Sequence, residues 1–442
     1  MLRTRVLAKA ALGLVAMSFA AAGAGCSTSS SNSSTTPSGG KTFLYVGGDK
    51  NITWYSMNMS DGSVAKAGGI DYDMTAAWIT RSNDNKFLYA AIRTTDEAAA
   101  MKAGTPLEGW VYTYAIDQTT GALTQVGTRV NSMGDRPTYL TVVTVDKTSK
   151  WLLCANNLGH LRGKSIAVFP IKADGSLGEA SQTLFAGTDP ANANMPFVRS
   201  HSIRIDPSNR FVYVPNIDSD NVSQFKFDAA TGMLTPNNPP FVSIPNPGFP
   251  TTSTSPTNAK MGIGPRHLDF HPNGKWIFLS TEYGAEVVTL AINDDGTLKM
   301  MPNPVSGLPD NYSSDPSDKW QSEIRIHPNG RFLYAGERAR TAMVTTQTVA
   351  IFDVNPETGA VTRKGNEPTL GKTPRNLVLD PSGNWLVVGN QDPAKPTDMP
   401  QPMYPFTSIV TYRIDQTTGM PQKAFGPVMQ TNPFVLLFVT LP

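Results

Sequence analysis

The chain has 442 residues, 40% hydrophobic and 16% charged, enough to bury one large core or several small ones. Its 35 prolines and 37 glycines, without long helical periodicity, exclude a helical bundle and favour many short strands joined by turns. Net charge is +2, and −1 once Arg3, Arg5 and Lys9 of a removable leader are set aside; this argues against nucleic acid as a partner, since phosphate backbones demand clustered Lys and Arg.

Those three cations form a positive start, followed by an apolar run from Ala10 to Ala22 that is too short to span a bilayer. Ala22-Gly23-Ala24-Gly25-Cys26 then places small residues before a cysteine, the pattern of a bacterial lipobox in which Cys26 is lipidated after cleavage. An ordinary cleaved signal with an incidental cysteine is the alternative. The segment that follows is almost wholly Ser, Thr, Pro, Asn and Gly and reads as a flexible tether. The expected division is residues 1–25 as lipoprotein signal peptide, 26–40 as tether and 41–442 as folded domain. The expected location is the exported side of a bacterial envelope, with the membrane touched only through the lipid. Cys154, the other cysteine, sits in the apolar run Trp151 to Ala155 and is expected to be a buried, inert thiol.

Beyond residue 40 one pattern recurs seven times, an aromatic followed by large residues: Phe43-Leu44-Tyr45, Phe87-Leu88-Tyr89, Trp151-Leu152-Leu153, Phe211-Val212-Tyr213, Trp276-Ile277-Phe278, Phe332-Leu333-Tyr334 and Trp385-Leu386-Val387. A polar pair ending in glycine alternates with it, at Gly62, Gly121, Gly175, Gly232, Gly296, Gly359 and Gly419. Glycine there suits a tight hairpin between outer strands. Each copy has room for four strands; in the third they are Thr138 to Val145, Trp151 to Ala155, Ser165 to Ile171 and Ser181 to Phe185. This predicts an all-β fold, a seven-bladed β-propeller of four-stranded antiparallel blades. First strands are expected near Ala76, Tyr139, Ser202, Leu268, Ile324 and Leu377. The seventh comes from the C-terminal end, Phe434 to Leu441, which then joins the blade beginning at Phe43 and closes the ring. In the unit Ser322 to Arg340 the second strand is expected at Arg331 to Ala335. Pro236 to Met261 and Met301 to Lys319 read as surface loops.

In a propeller, first strands line the central channel. The ionisable residues on the first two strands of each blade are Arg199, His201, Arg266, His267, Glu282, Glu323, Arg325, Arg338, Arg340 and Arg375. Arginine suits bidentate recognition of carboxylate or phosphate, histidine moves protons near neutrality, and glutamate pairs with arginine or acts as acid or base. The duller readings are a His201 that bonds a neighbouring blade, arginine ladders between blades, a solvated Arg340, and His271 and His327 as turn caps. No phosphate loop, HExxH, paired CxxC or GxSxG elbow occurs, so no metal and no cofactor are expected.

His201-Ser202-Ile203 through Val214-Pro215, Gly264-Pro265-Arg266-His267 with Phe270-His271-Pro272, Glu282, Ser322-Glu323-Ile324-Arg325 through Arg338, and Thr373-Pro374-Arg375 with Asn390-Gln391-Asp392 together resemble the seven-bladed propeller lactonases, which include bacterial 6-phosphogluconolactonase and fungal carboxy-muconate cyclase. The resemblance covers roughly residues 41–440. It implies a lactonase-like hydrolase opening a sugar or other acidic lactone, with His201, Arg266, Glu282 and Arg338 as catalytic residues. His201 is then the acid/base, Arg266 and Arg338 hold the acid group or the oxyanion, and Glu282 orients them or activates water. Arg199, His267, Glu323, Arg325 and Arg375 are the expected substrate-binding set, and a monomer the expected state. Arg199, Asn216 and Gly336-Glu337 depart from the family pattern, which has a second histidine, an aspartate and a Ser-Asn pair there. A non-catalytic cell-surface binding propeller and a muconate-type cycloisomerase are the competing readings.

Overall fold

Each aromatic triplet lies on the second strand of a sheet, where bulky side chains fit a pleated surface buried on both faces. A computed structural model of the chain describes residues 40–94, 99, 107–158, 164–186, 198–245, 262–310, 320–338, 347–392 and 406–442. The expected signal peptide and lipobox with Cys26, nearly all of the expected tether, Arg340, most of the first loop insert and about half of the second lie outside the described residues. Those from Gly40 onward belong to one compact unit.

Five antiparallel sheets stand separately among the described residues, spanning Pro137–Leu184, Arg204–Ser243, Pro265–Ser306, Trp320–Pro368 and Lys372–Met429. A sixth sheet of seven strands joins two further units through one long strand, Val64–Arg81. Its front half pairs with the back of Thr42–Met57, and its back half pairs with Phe87–Arg93. The expected strands of the third copy are observed as Pro137–Val145, Thr148–Asn156, Ile166–Pro170 and Gln182–Leu184.

The C-terminal strand Val435–Thr440 pairs antiparallel with the front of Thr42–Met57, from Gly47↔Val435 to Thr42↔Thr440. Ring closure by the chain's two ends is therefore observed, and an unpaired edge is removed. Leu44, Val46, Trp385, Val387, Leu436 and Phe438 share one buried cluster across this seam.

Three local expectations are corrected. Pro236 to Ser243, read as part of a surface loop, continue the strand Leu234–Ser243, which pairs with Asn221–Phe227. The second strand after His327 runs Phe332–Arg338, not Arg331 to Ala335, because Gly336 and Glu337 continue its ladder to Val349 and Thr348. Near Ser202 only Arg204–Ile205 is a strand. Pro215 accepts from the His201 N–H at 3.1 Å but has no N–H to return, so the ladder is interrupted there.

The two repeat markers prove to be one contact. All seven marker glycines have positive φ, between 69° and 82°. A Cβ built on each would lie 2.1–2.9 Å from the marker aromatic of the preceding blade: Gly121 on Phe43, Gly296 on Phe211, Gly359 on Trp276, and, across the closure, Gly62 on Trp385. The hairpin thus lies flat on the neighbouring ring. In four blades the tyrosine two residues after the aromatic donates to that glycine's carbonyl: Tyr45 to Gly121 at 2.6 Å, Tyr89 to Gly175 at 3.0 Å, Tyr213 to Gly296 at 3.0 Å and Tyr334 to Gly419 at 2.8 Å. Thr289 and Thr411 do the same for Gly359 and Gly62 at 3.0 and 2.8 Å.

His271 and His327 cap turns, their Nδ1 atoms accepting from the Asn273 and Asn329 N–H groups, while Nε2 reaches Gly330 and Gly383 of the next blade. Cys154 is wholly buried, and burial pushes its thiol far up, consistent with an inert side chain. Replacing Gly296 with alanine forces a Cβ into Phe211 at positive φ, so Gly296→Ala is expected to lose roughly 2–4 kcal/mol. Denaturant unfolding checks this; an unchanged midpoint contradicts the packing described.

Candidate active site

The innermost strands share a local irregularity. The pairing of first with second strand skips a residue at Ala77, Thr138, Arg266 and Arg375, and two residues, Ser322 and Glu323, in the sheet between. Such bulges re-aim side chains. Ala77, Thr138, Arg266 and Arg375 all line one cavity, together with Arg93, His201, His267, Asn376 and Phe434. Its volume is about 10 Å³, room for about one water molecule.

A buried relay leads to it. Glu323 Oε1 lies 3.0 Å from His267 Nδ1, and His267 Nε2 lies 3.0 Å from His201 Nδ1. Glu323 also takes Arg325 Nη1 at 3.0 Å, the Ile324 N–H at 3.1 Å and the Asn376 amide. Burial disfavours its charged form, but Arg325 and His267 outweigh that and hold the carboxyl down at about 2. Burial pushes His267 down to about 4 against the pull of Glu323. Burial, then Arg266, His267, Arg375 and Arg199, keeps His201 well below the usual imidazole range. Both rings are thus neutral near pH 7. The Glu323 carboxylate can only accept, so His267 carries its proton on Nδ1 and accepts at Nε2. His201 must then donate from Nδ1, which leaves its Nε2 with a free lone pair. Trp78 and Tyr139 stack at 3.8 Å and present themselves edgewise to His267, at 5.5 and 5.2 Å, locking the ring.

Arginines gather beside the relay. Glu282 Oε1 accepts from Arg338 Nη2 at 2.9 Å, and Glu282 Oε2 lies 3.2 Å from Arg266 Nε without hydrogen-bond alignment. Burial opposes the charge on Glu282, but Arg338 and Arg266 outweigh it and hold the carboxyl below its usual range. Arg266 also donates to the Ser322 carbonyl at 2.5 Å, and Arg338 lies over the Trp320 ring at 5.1 Å. Burial and Arg338 lower Arg266 to about 10. Arg375, bonded to Gln391 at 3.1 Å and stacked on Phe434 at 4.4 Å, is pushed well below the guanidinium range by burial and then by Arg338, Arg266 and Arg93. Arg199, at φ +45°, is pinned by the Tyr283 hydroxyl at 2.9 Å and Asp218 at 3.2 Å.

The sequence-derived set therefore divides. His201, His267, Arg266 and Arg375 line the cavity. Glu282 and Arg338 pair beside it, Glu323 stands behind His267, and Arg199 is held by Asp218 and Tyr283. Arg325 lines a different cavity, below Glu323. Arg93 escaped the sequence reading, although it stands six residues after its blade's aromatic, the offset that also gives Glu282 and Arg338. A groove of about 500 Å³ between the Phe87 and Trp151 strands includes none of these residues.

The family description "Lactonase, 7-bladed beta-propeller" matches residues 35–438. The chain belongs to this lactonase family. Among curated proteins it is 30% identical to the 6-phosphogluconolactonase of Pectobacterium carotovorum over 310 residues, 70% of this chain and 75% of that protein. It is 25% identical to that of Formosa agariphila over 372 residues, 84% of this chain and 90% of that protein. Among solved structures, the Pseudomonas aeruginosa periplasmic gluconolactonase superimposes with a TM-score of 0.71 over 91% of this lactonase-family chain and 100% of its own, at 22% identity, which speaks to the fold.

Above its lowered pKa, His201 is neutral. The kcat/KM of a lactone hydrolysed here should stay level above pH 6.5 and fall only as pH drops below it, through that lowered value. A pH–rate profile checks this; a bend above pH 7 contradicts it.

Proposed function

We propose that the protein hydrolyses a lactone bearing an anionic group, with His201 as general base and then general acid. The observation that carries the reading is the buried Glu323–His267–His201 relay ending on a water-sized cavity lined by Arg93, Arg266 and Arg375. The relatives' printed name, 6-phosphogluconolactonase, supports the reaction class.

The water held in the cavity attacks the lactone carbonyl carbon while its proton passes to His201 Nε2. The cation this forms is stabilised through His267 by the Glu323 carboxylate. The carbonyl oxygen becomes an oxyanion, which Arg266 and Arg375 stabilise in a site that excludes bulk water. The ring C–O bond then breaks, and the departing alkoxide takes the proton back from His201, giving a hydroxy acid. The cavity admits little beyond a water, so the lactone ring lies at its mouth, where Arg338 binds the substrate's acid group. Glu282 orients Arg266 and Arg338 and offsets their mutual repulsion. His267 and Glu323 act through His201, whose neutral form Arg199, held by Tyr283 and Asp218, helps to favour.

His201→Ala and Arg266→Ala are each expected to cut kcat/KM by roughly a hundredfold or more while leaving the melting temperature near that of the wild type. A pH-indicator assay over a panel of sugar-acid and phosphorylated lactones measures this. Wild-type rates in both variants, or an inert wild type on every lactone, would end the proposal.

We also infer that residues 1–25 direct export and that Cys26 carries a lipid, leaving 26–40 as tether. Arg3, Arg5 and Lys9, the apolar run and the small residues before Cys26 support this. No helix among the described residues is long and apolar enough to cross a membrane. Labelled fatty acid should enter the wild type in a bacterial host and not the Cys26→Ser variant; equal labelling would refute the anchor.

A further inference from the structure

The first strands start at the catalytic cavity and end at another. Residues that follow three of the bulges line a separate space of about 420 Å³, Arg81 after Ala77, Tyr139 after Thr138 and Val378 after Arg375, together with Arg204 of the short strand that follows His201. That volume suits a small metabolite. The stacked Trp78–Tyr139 pair and His267 lie between the two spaces; Trp78 lines both.

Three guanidinium groups face this second space, those of Arg81, Arg204 and Arg325. Among the described residues, two carboxylates serve them. Asp269 takes Arg204 Nη2 at 2.8 Å, and Glu323, fully buried, takes Arg325 Nη1 at 3.0 Å while shared with His267 and Asn376. Arg81 has no carboxylate among the described residues, its one bond there being to the Ser82 carbonyl at 3.3 Å. Among the described residues the bonds of Arg325 run through Nη1, and its side chain retains 15% exposure; that of Arg204 retains 24%. Three half-buried cations against two committed anions leave an excess positive charge in a concave space. Such a space recognises an oxyanion.

We propose that this far chamber is a second binding site, for a small molecule bearing a phosphate or carboxylate group, separate from the lactone site. The ligand's oxyanion is held by Arg81 and the free edge of Arg325. Because Arg325 also holds Glu323, the occupant draws on the charge that steadies the Glu323–His267–His201 relay, so binding there alters turnover without touching the substrate.

The test uses the mature protein and inorganic phosphate as probe, at ionic strength fixed with chloride. Calorimetric titration is run on the wild type, on Arg375→Ala, which weakens anion binding in the catalytic cavity, and on Arg81→Gln, whose side chain has no carboxylate partner to orphan. Phosphate binding is expected to persist in Arg375→Ala and to weaken roughly tenfold to a hundredfold in Arg81→Gln, the loss of one charge-assisted contact. Lactone turnover without phosphate should be unchanged in Arg81→Gln, and its response to phosphate lost. Binding by the wild type that disappears in Arg375→Ala and is untouched in Arg81→Gln would place the anion in the catalytic cavity and overturn the proposal; so would no binding at all. Arg81→Lys, which keeps the charge, should recover most of the affinity; failure to do so with an intact melting curve also counts against the site. If the wild type bound phosphate but hydrolysed no lactone, the chamber would stand and the catalytic reading alone would fall.

Discussion

The fold depends on a glycine lying flat against a neighbour's aromatic ring, seven times around a circle. No single blade can stand alone, since a four-stranded sheet exposes two apolar faces and must cover both. The glycine lets the outer hairpin approach the preceding blade's ring to within contact, and at six of the seven glycines a tyrosine or threonine bond to the carbonyl fixes the approach in direction. Because Gly62 rests on Trp385 in the same way that Gly121 rests on Phe43, the first and last blades meet by the rule that joins all the others. The pairing of Val435–Thr440 with Thr42–Met57 then holds the seam with backbone hydrogen bonds.

That radial order is what brings charge to the centre. Residues as far apart in sequence as His201 and Glu323, or Arg93 and Arg375, have no local reason to meet. They meet because inner strands occupy equivalent places around one axis and carry bulges at equivalent positions. The channel would repel itself if arginines alone filled it. Glu282 and Glu323 prevent this in different ways: one bridges two guanidiniums beside the cavity, the other anchors the histidine pair and an arginine from beneath. Removing either would leave buried like charges uncompensated, which costs more than losing the pair itself.

Much of this was legible in the sequence, for physical reasons. The aromatic triplets and the glycines are visible because each must be nearly the same residue type in every blade to make the same contact. Ring closure followed from counting six internal first strands against seven second strands. Four of the nine expected site residues reach the cavity: Arg266, His267 and Arg375 at or beside first-strand bulges, and His201 just before the short strand Arg204–Ile205. What could not be read is who bonds whom. Whether Glu323 faces a substrate or stands behind His267 depends on a two-residue slip in strand pairing, which no alternation of polar and apolar residues announces. The departure at Arg338 had a similar origin: a strand expected to stop at Ala335 continues three residues, and so delivers the arginine to Glu282. Arg93 was missed though its offset from Phe87 matches that of Glu282 from Trp276, and Arg81 and Arg204 were passed over because they lie at the strand ends away from the catalytic cavity.

The central claim is electrostatic: a buried, charged carboxylate fixes the tautomers of two hydrogen-bonded imidazoles and leaves one bare nitrogen at the cavity. Nitrogen-15 NMR of histidine-labelled protein reads this directly. At pH 7 the account predicts that His201 and His267 are both neutral, each protonated on Nδ1, with His201 Nε2 unprotonated. A doubly protonated His201, or the opposite tautomer in either ring, would contradict it.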